Sequence, residues 1–243
     1  MPHAIQMQQT GGPEVLNWTT VDVGEPASGQ VRLRQAAAMM LQGMTAHVLI
    51  RQVYPVKAGD SILVHAAAGG IGLILCQWAA ALGVTVIGTV STEAKAEIAH
   101  AHGCSHTILY TKQDFVAEVS RISGGEKLPV VFDPVGKDAF LRSLDCLRPR
   151  GLIVTFGQAS GPIDPIAPVL LSQKGSLFLT RPFLFHYIER RDALEASANE
   201  LFEAVASGKF RIHVNQRYAL TEAANAHKAL EARAISGSTI LSI

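Results

Sequence analysis

"ILVHAAAGGIGLILCQWAAALG", residues 62–83, carries no Asp, Glu, Lys or Arg, and the charge-free run extends from Ser61 to Thr92. About 20 apolar residues are enough for a membrane-spanning helix, so length alone leaves two readings. The glycines decide between them. Gly69, Gly70 and Gly72 interrupt the run early, Gly83 follows one helix length later, and Gly88 stands a few residues on. This spacing predicts a strand over 62–65, a tight glycine turn, a helix over 71–82 and a second strand over 84–88, which is a βαβ unit. Parallel strands covered by helices on both faces read as continuous apolar runs, and that explains the missing charges without a membrane.

The composition agrees. A chain of 243 residues suits one large domain or one domain with an appendage. A net charge of +1 gives no electrostatic case for nucleic acid or an anionic lipid surface as partner. The opening "MPHAIQMQQTGG" lacks a basic-then-apolar export signal. Cys76, Cys104 and Cys146 are odd in number and far apart, without a CxxC pair, so a cytoplasmic, reducing location is expected. "AHAHGCSH" gathers His100, His102, Cys104 and His106, all potential metal ligands. Residues two apart on a helix point in different directions, however, so the expectation is a helix ending near His102, capped by Gly103, with no metal site.

Beyond the first unit, strand and helix keep alternating. "TVIGTV" leads to a helix over "EAKAEIAHAH", then a strand "HTILY", a helix around "QDFVAEVSRIS", a strand "PVVFD", a helix "KDAFLRSLDCL" and a strand "GLIVTFG". The rhythm predicts an α/β fold with a doubly wound parallel sheet. "SLFLT", a long helix through 188–208, a strand near "RIHVNQRYAL", a helix "EAANAHKALEARA" and a strand "STILSI" complete the chain. In the long helix, Leu194, Leu201, Phe202 and Val205 recur at helical spacing and are expected to face the sheet. Residues 1–34 instead read as short strands joined by turns at Gly11-Gly12-Pro13 and Gly24-Glu25-Pro26, the vocabulary of a small antiparallel sheet.

A strand that runs through a glycine turn into a helix aims the helix's unpaired N–H groups at whatever lies above the strand end, typically a pyrophosphate. Ala67, Gly69 and Gly72 occupy the places of a GxGxxG fingerprint, with alanine for the first glycine. Gly69 would let the pyrophosphate approach the backbone, and Gly72 would let the helix pack closely; packing alone is the other reading of both. An NAD-preferring site carries Asp or Glu at the end of the second strand. Here that end reads Gly88-Thr89-Val90-Ser91, with no carboxylate before Glu93 and with Lys95 two residues further. A hydroxyl beside an ammonium suits a 2′-phosphate, so NADPH is the expected cofactor, unless Lys95 is an ordinary solvated helix lysine.

Together "HAAAGGIGLILCQWAAALG", "VVFDPVG", "RGLIVTFGQASG", "QKGSLFLTRP" and "LFEAVASGKFRIHVNQRYAL" resemble the NADPH:quinone oxidoreductases, the zeta-crystallin-like branch of the zinc-free medium-chain dehydrogenases/reductases. The resemblance implies a Rossmann domain whose A-x-x-G-x-x-G turn, from Ala66 to Gly72, puts Ala68, Gly69, Gly70, Ile71 and Gly72 against NADPH. It implies that Ser91, Lys95 and Tyr110 lie near the adenosine 2′-phosphate, that Thr45, Phe156, Gly157 and Ser160 lie around the nicotinamide, and that Arg233 contacts the cofactor. Phe156 as core and Tyr110 as a strand-edge aromatic are the bland alternatives. It also implies a homodimer through residues 176–180.

There is one large departure from the family pattern. The chain passes from "GQVRLR" straight to "QAAAMM", as if most of a GroES-like catalytic domain were excised between Arg34 and Gln35. The expected organisation is a remnant β segment over 1–34 and an NADPH-binding Rossmann domain, with its terminal helix and strand, over 35–243. The expected function is hydride transfer from NADPH to a quinone, with no catalytic side chain assigned and competence in doubt because of the missing domain. The alternative is an NADPH-binding protein without turnover, acting as a sensor or partner subunit.

Overall fold

A computed structural model of the chain describes residues 3–6, 17–20, 34–232 and 234–242. Its contacts divide into two units, Gln42–Arg211 and, separately, Met1–Leu41 with Ile212–Ile243.

The larger unit is built on six strands: β3 (Ser61–Val64), β4 (Thr85–Val90), β5 (His106–Leu109), β6 (Leu128–Asp133), β7 (Leu147–Thr155) and β8 (Phe178–Thr180), after β1 (His3–Gln6) and β2 (Asn17–Thr20) of the smaller unit. They lie in the order β5-β4-β3-β6-β7-β8, every neighbouring pair parallel. In sheet-strand numbers that is 3-2-1-4-5-6, the doubly wound dinucleotide-binding order, whose reversal between β3 and β6 opens a crevice at the carboxyl ends. β3 and β6 are central, and Ile62, Leu63, Val64, Val130, Val131 and Phe132 are all fully buried. The βαβ reading of the opening stretch holds to within two residues.

Helices α1 (Arg34–Val48), α2 (Gly70–Ala81), α3 (Glu93–Ala101), α4 (Phe115–Ile122), α5 (Phe140–Ser143), α6 (Val169–Gln173), α7 (Leu184–Tyr187) and α8 (Arg191–Ala206) connect or flank the strands. α2 buries Leu73, Ile74, Leu75, Cys76, Trp78 and Ala79, so it is apolar nearly all round because it is enclosed. No described helix is long and apolar enough to cross a membrane. α4 starts where the Asp114 carboxylate accepts hydrogen bonds from the N–H groups of Val116 and Ala117. The expected helix over "KDAFLRSLDCL" shortens to α5 and a 3₁₀ turn, Leu144–Cys146, because β7 already begins at Leu147.

One expectation is corrected. In α8 the buried positions are Ser197, Leu201 and Ala204, and Phe202 is 42% exposed. Leu201 rests on Gly43 of α1, where a Cβ would lie 2.6 Å from its Cδ1. Glu200 meets His47 at 2.8 Å and Ser197 meets His47 at 3.0 Å, so α8 packs on α1 rather than on the sheet, and its inward face is partly polar. The last strands, β9 (Val214–Ala219) and β10 (Ser238–Ser242), linked through α9 (Ala223–Glu231), pair with each other in a two-stranded parallel sheet and do not extend the six-stranded one. The contacts divide the chain within α1 and after Arg211. In that smaller unit β1 and β2 form an antiparallel pair, as the turn-rich opening predicts; the rest of 1–33 lies outside the described residues.

Candidate functional site

β3 ends at Val64, and the next eight residues build the turn. Ala66 takes a left-handed conformation, φ 54°, and its carbonyl accepts from the Gly69 N–H at 2.9 Å. Gly69 is the N-cap of α2 and brings no side chain to cap it. The first intrahelical bond at this end runs from Leu73 N–H to Gly69 O, so the N–H groups of Gly70, Ile71 and Gly72 have no intrahelical acceptor. They project from a helix end of positive partial charge, which receives anions.

The three glycines have different reasons. At Gly72 a Cβ would lie 2.4 Å from Ala66 O and 2.7 Å from Ala67 O, so the helix packs against the strand exit only with hydrogen there. At Gly69 the sole neighbour is Ala66 O at 3.1 Å, leaving the space above the turn open. At Gly70 a Cβ would meet the Gln42 amide at 2.6 Å, which places α1 beside the turn. Thr45, half-buried, stands one helical turn on from Gln42. Ala68 is buried and Ile71 half-buried.

The adenosine-side expectations converge at the next two strand ends. β4 and β5 pair Val90 with Leu109, so Ser91 and Tyr110 are the next residues of adjacent parallel strands. Tyr110 is 45% exposed there, and Thr111 hydrogen-bonds Ser91 O at 3.0 Å. Thr92 caps α3 by accepting from the Lys95 N–H, which sets Lys95 on the first turn behind Ser91. Glu93, the nearest carboxylate, is paired with Lys112 at 3.2 Å. This corner thus offers hydroxyls and the Lys95 ammonium, with the Glu93 carboxylate engaged by Lys112.

Across the crevice, the exit of β7 sits on the exit of β6. Phe156 N–H donates to Asp133 O, and a Cβ on Gly157 would lie 2.5 Å from Pro134 O. Phe156 is half-buried, so it does not belong to the core. The Ser160 hydroxyl donates to Val135 O at 2.8 Å and accepts from Asp138 N–H at 3.0 Å, so it fastens the two exits together. Arg233 lies outside the described residues.

Sequence reasoning missed four groups here. Asp133 ends β6 fully buried; its Oδ1 accepts from Val135 and Gly136 N–H while Oδ2 has no hydrogen-bond partner. Burial pushes its carboxyl up, against the pull of those two N–H groups and of Arg181. A carboxylate closing an apolar strand, as in "VVFD", was the available signal. Arg181 donates to Thr155 Oγ1 at 2.9 Å, Gly157 O at 3.2 Å and Gln158 Oε1 at 3.1 Å, holding the β7 exit from the end of β8. His65, buried at the root of the turn, lies 2.8 Å from both Thr89 Oγ1 and Ser143 Oγ. Burial pulls its imidazole down to about 4. Gln42 completes the set.

The histidine cluster scatters. His100 and His106 are exposed, His102 bonds Ile98 O, and the buried Cys104 thiol points at His106 O. All three cysteines are free and buried, and among the described residues no three His, Cys, Asp or Glu side chains are grouped as a metal ion requires.

Comparison with known proteins bears directly on this arrangement. Residues 70–200, more than half of the chain, match the zinc-binding dehydrogenase family. A quinone oxidoreductase of Pseudomonas aeruginosa is 51% identical over 211 residues, covering 87% of this chain and 65% of that protein. A 2-haloacrylate reductase of a Burkholderia species is 50% identical over 206 residues, covering 84% of this chain and 62% of that protein. The chain thus spans a little under two thirds of the length of these relatives. The structure of Escherichia coli quinone oxidoreductase, solved in complex with NADPH, superposes with a TM-score of 0.94 at 33% identity, covering 100% of both chains. The chain belongs to the zinc-binding dehydrogenase family, among its quinone oxidoreductases.

Proposed function

We propose that this chain binds NADPH along the carboxyl edge of its six-stranded sheet and serves an oxidoreductase that passes hydride to a quinone. One observation carries the cofactor reading: an uncapped helix end above an open Gly69 lies one strand from a corner of Ser91, Lys95 and Tyr110 whose nearest carboxylate is engaged. The N–H groups of Gly70, Ile71 and Gly72 receive the pyrophosphate, Ser91 and Lys95 hold the 2′-phosphate, and the Phe156-Gly157 exit borders the nicotinamide. NADPH supplies the hydride from C4 of its reduced ring. A quinone is already electrophilic, so positioning against that ring is the main task left to the protein. The names of the relatives support this class: a quinone and a 2-haloacrylate both offer a carbon–carbon double bond conjugated with a carbonyl or carboxylate.

Binding without turnover is the second reading, favoured by the 65% share of the Pseudomonas relative that the chain spans. An NADPH fluorescence titration beside a steady-state assay with NADPH and a simple quinone separates the two. Binding with turnover supports the first reading, binding alone supports the second, and no binding overturns both.

The reading includes a homodimer through residues 176–180. β8 is the outer strand of the sheet, with Phe178 60% and Leu179 41% exposed. An apolar edge invites aggregation, and pairing with a two-fold copy covers it. Leu179→Lys is expected to give monomer in light scattering; an unmutated chain that is monomeric at tens of micromolar contradicts the dimer.

A further inference from the structure

Beneath the glycine turn lies a buried histidine. We propose that His65 is a positioning residue, a neutral clamp that holds the turn in its anion-receiving shape by joining β4 to α5. The proposal rests on the cofactor reading above and adds to it a residue that the glycine fingerprint does not contain.

The hydrogen bonds fix the protonation pattern of the ring. Ser143 Oγ lies 2.8 Å from Ala139 O, a carbonyl that can only accept, so the single hydroxyl proton is spent there. Ser143 Oγ must therefore accept from the imidazole at its other 2.8 Å contact, which places the ring proton on Nε2. Nδ1 is then an acceptor, and the Thr89 hydroxyl donates to it at 2.8 Å. Both ring nitrogens are satisfied, and the Phe115 ring packs edge-on at 5.1 Å. The residue is 3% exposed, so water does not compete for either ring nitrogen.

What the clamp holds is the backbone on either side of Ala66. His65 N–H donates to Phe132 O of β6. The ring is tied to the Thr89 side chain, while the Thr89 carbonyl accepts from Ala67 N–H at 3.2 Å. One residue of β4 thus grips both neighbours of Ala66, the non-glycine with φ 54°. An alanine leaves that conformation readily unless its surroundings impose it. Ala66 O in turn closes the turn onto Gly69 and sits under Gly72. Release of the ring frees Ala66 to relax, and the helix end loses its aim.

The test compares NADPH with 2′-AMP, which reaches the Ser91–Lys95 corner without touching the turn. His65→Phe keeps a ring against Phe115 and removes both hydrogen bonds; Thr89→Val removes only the donor to Nδ1 and keeps the shape. Each is expected to bind NADPH about tenfold or more weakly, the worth of a lost buried hydrogen bond, with 2′-AMP affinity within about twofold of the unmutated chain. Imidazole nitrogen chemical shifts are expected to report the Nε2–H tautomer. Unchanged NADPH affinity in both variants, equal loss of NADPH and 2′-AMP, or an Nδ1–H tautomer would overturn the clamp. Failure of the unmutated chain to bind NADPH would instead overturn the cofactor reading, and the clamp with it.

Discussion

The two halves of the sheet's carboxyl edge are held in different ways. Around β3, α2 and α3 the bonds that close the turn and start the helix are short in sequence: Gly69 N–H reaches Ala66 O, and Lys95 N–H reaches the Thr92 hydroxyl, with the longer ties of His65 and Ala67 beneath them. Around β6, β7 and β8 they are long. Ser160 reaches back 25 residues to Val135, and Arg181 reaches back 26 to Thr155 and 24 to Gly157. Local bonds leave a readable motif because neighbouring residue types must agree. Distant bonds leave residues whose partners only the fold reveals.

The largest expected effect breaks the first half at its packing glycine. Gly72→Val puts a branched side chain where a single Cβ already lies 2.4 Å from backbone oxygen. Its expected cost is at least about 3 kcal/mol of stability, read as a lower denaturation midpoint. Gly69→Val is the counterpart. Gly69 has extended backbone angles, φ −77° and ψ 172°, which valine adopts freely. Stability is expected to fall by less than about 1 kcal/mol, while NADPH affinity falls roughly 100-fold as the side chain fills pyrophosphate space. If both variants unfold, or both bind, the division of labour between the two glycines fails.

The glycine spacing behind that expectation was legible in the sequence, and so were the alternation of strand and helix and the carboxylate-free end of β4. What was not legible follows from the same contrast. His65 reads as one more residue of an apolar strand, since its partners Thr89 and Ser143 stand 24 and 78 residues away. Phe202 was placed inward because helical spacing marks a stripe without saying which helix covers it; Gly43 on α1 decides that.

Next in size is the acid response of His65. Its folded-state value of about 4 lies below the ordinary histidine value near 6.5, so the unfolded chain binds more protons between those limits. The neutral clamp's contribution is complete above about pH 6.5 and is lost as pH falls towards 4, by about 3 kcal/mol in total. Asp133, pushed up by burial, works in the opposite direction. The measurement is therefore a difference: unfolding free energy against pH for the unmutated chain and for His65→Phe. The variant is expected to lose less stability over that window. Parallel profiles would mean that the ring does not titrate out of place.

At the corner of Ser91, Lys95 and Tyr110, Lys95→Ala is expected to weaken NADPH binding by about 1.5 to 3 kcal/mol, the worth of a charge-assisted hydrogen bond, with NADH binding nearly unchanged. Paired titrations of the two cofactors check it. Equal losses for both would return Lys95 to an ordinary place on the α3 surface. The phosphate preference of the corner would then have to rest on Ser91 and Tyr110.

The smallest effect sharpens the second half. Arg181 is exposed, and its three hydrogen bonds run from one planar fork to a hydroxyl, a carbonyl and an amide. Lysine keeps the charge but cannot span three acceptors in that geometry. The β7 exit is also held by Ser160 and by the contact of Gly157 with Pro134, neither of which lysine disturbs. Arg181→Lys is therefore expected to weaken NADPH by only about fivefold, roughly one net hydrogen bond, and to leave 2′-AMP affinity unchanged. Arg181→Lys combined with Ser160→Ala weakens two side-chain ties on the same loop, and groups that share a loop couple. The double variant is expected to lose more than the product of the single losses. A strictly multiplicative result would show that the exit loop keeps its shape through Gly157 and the backbone bonds to Asp133, Pro134 and Val135, and the long-range side-chain bonds of this half would then matter to the fold and not to the cofactor.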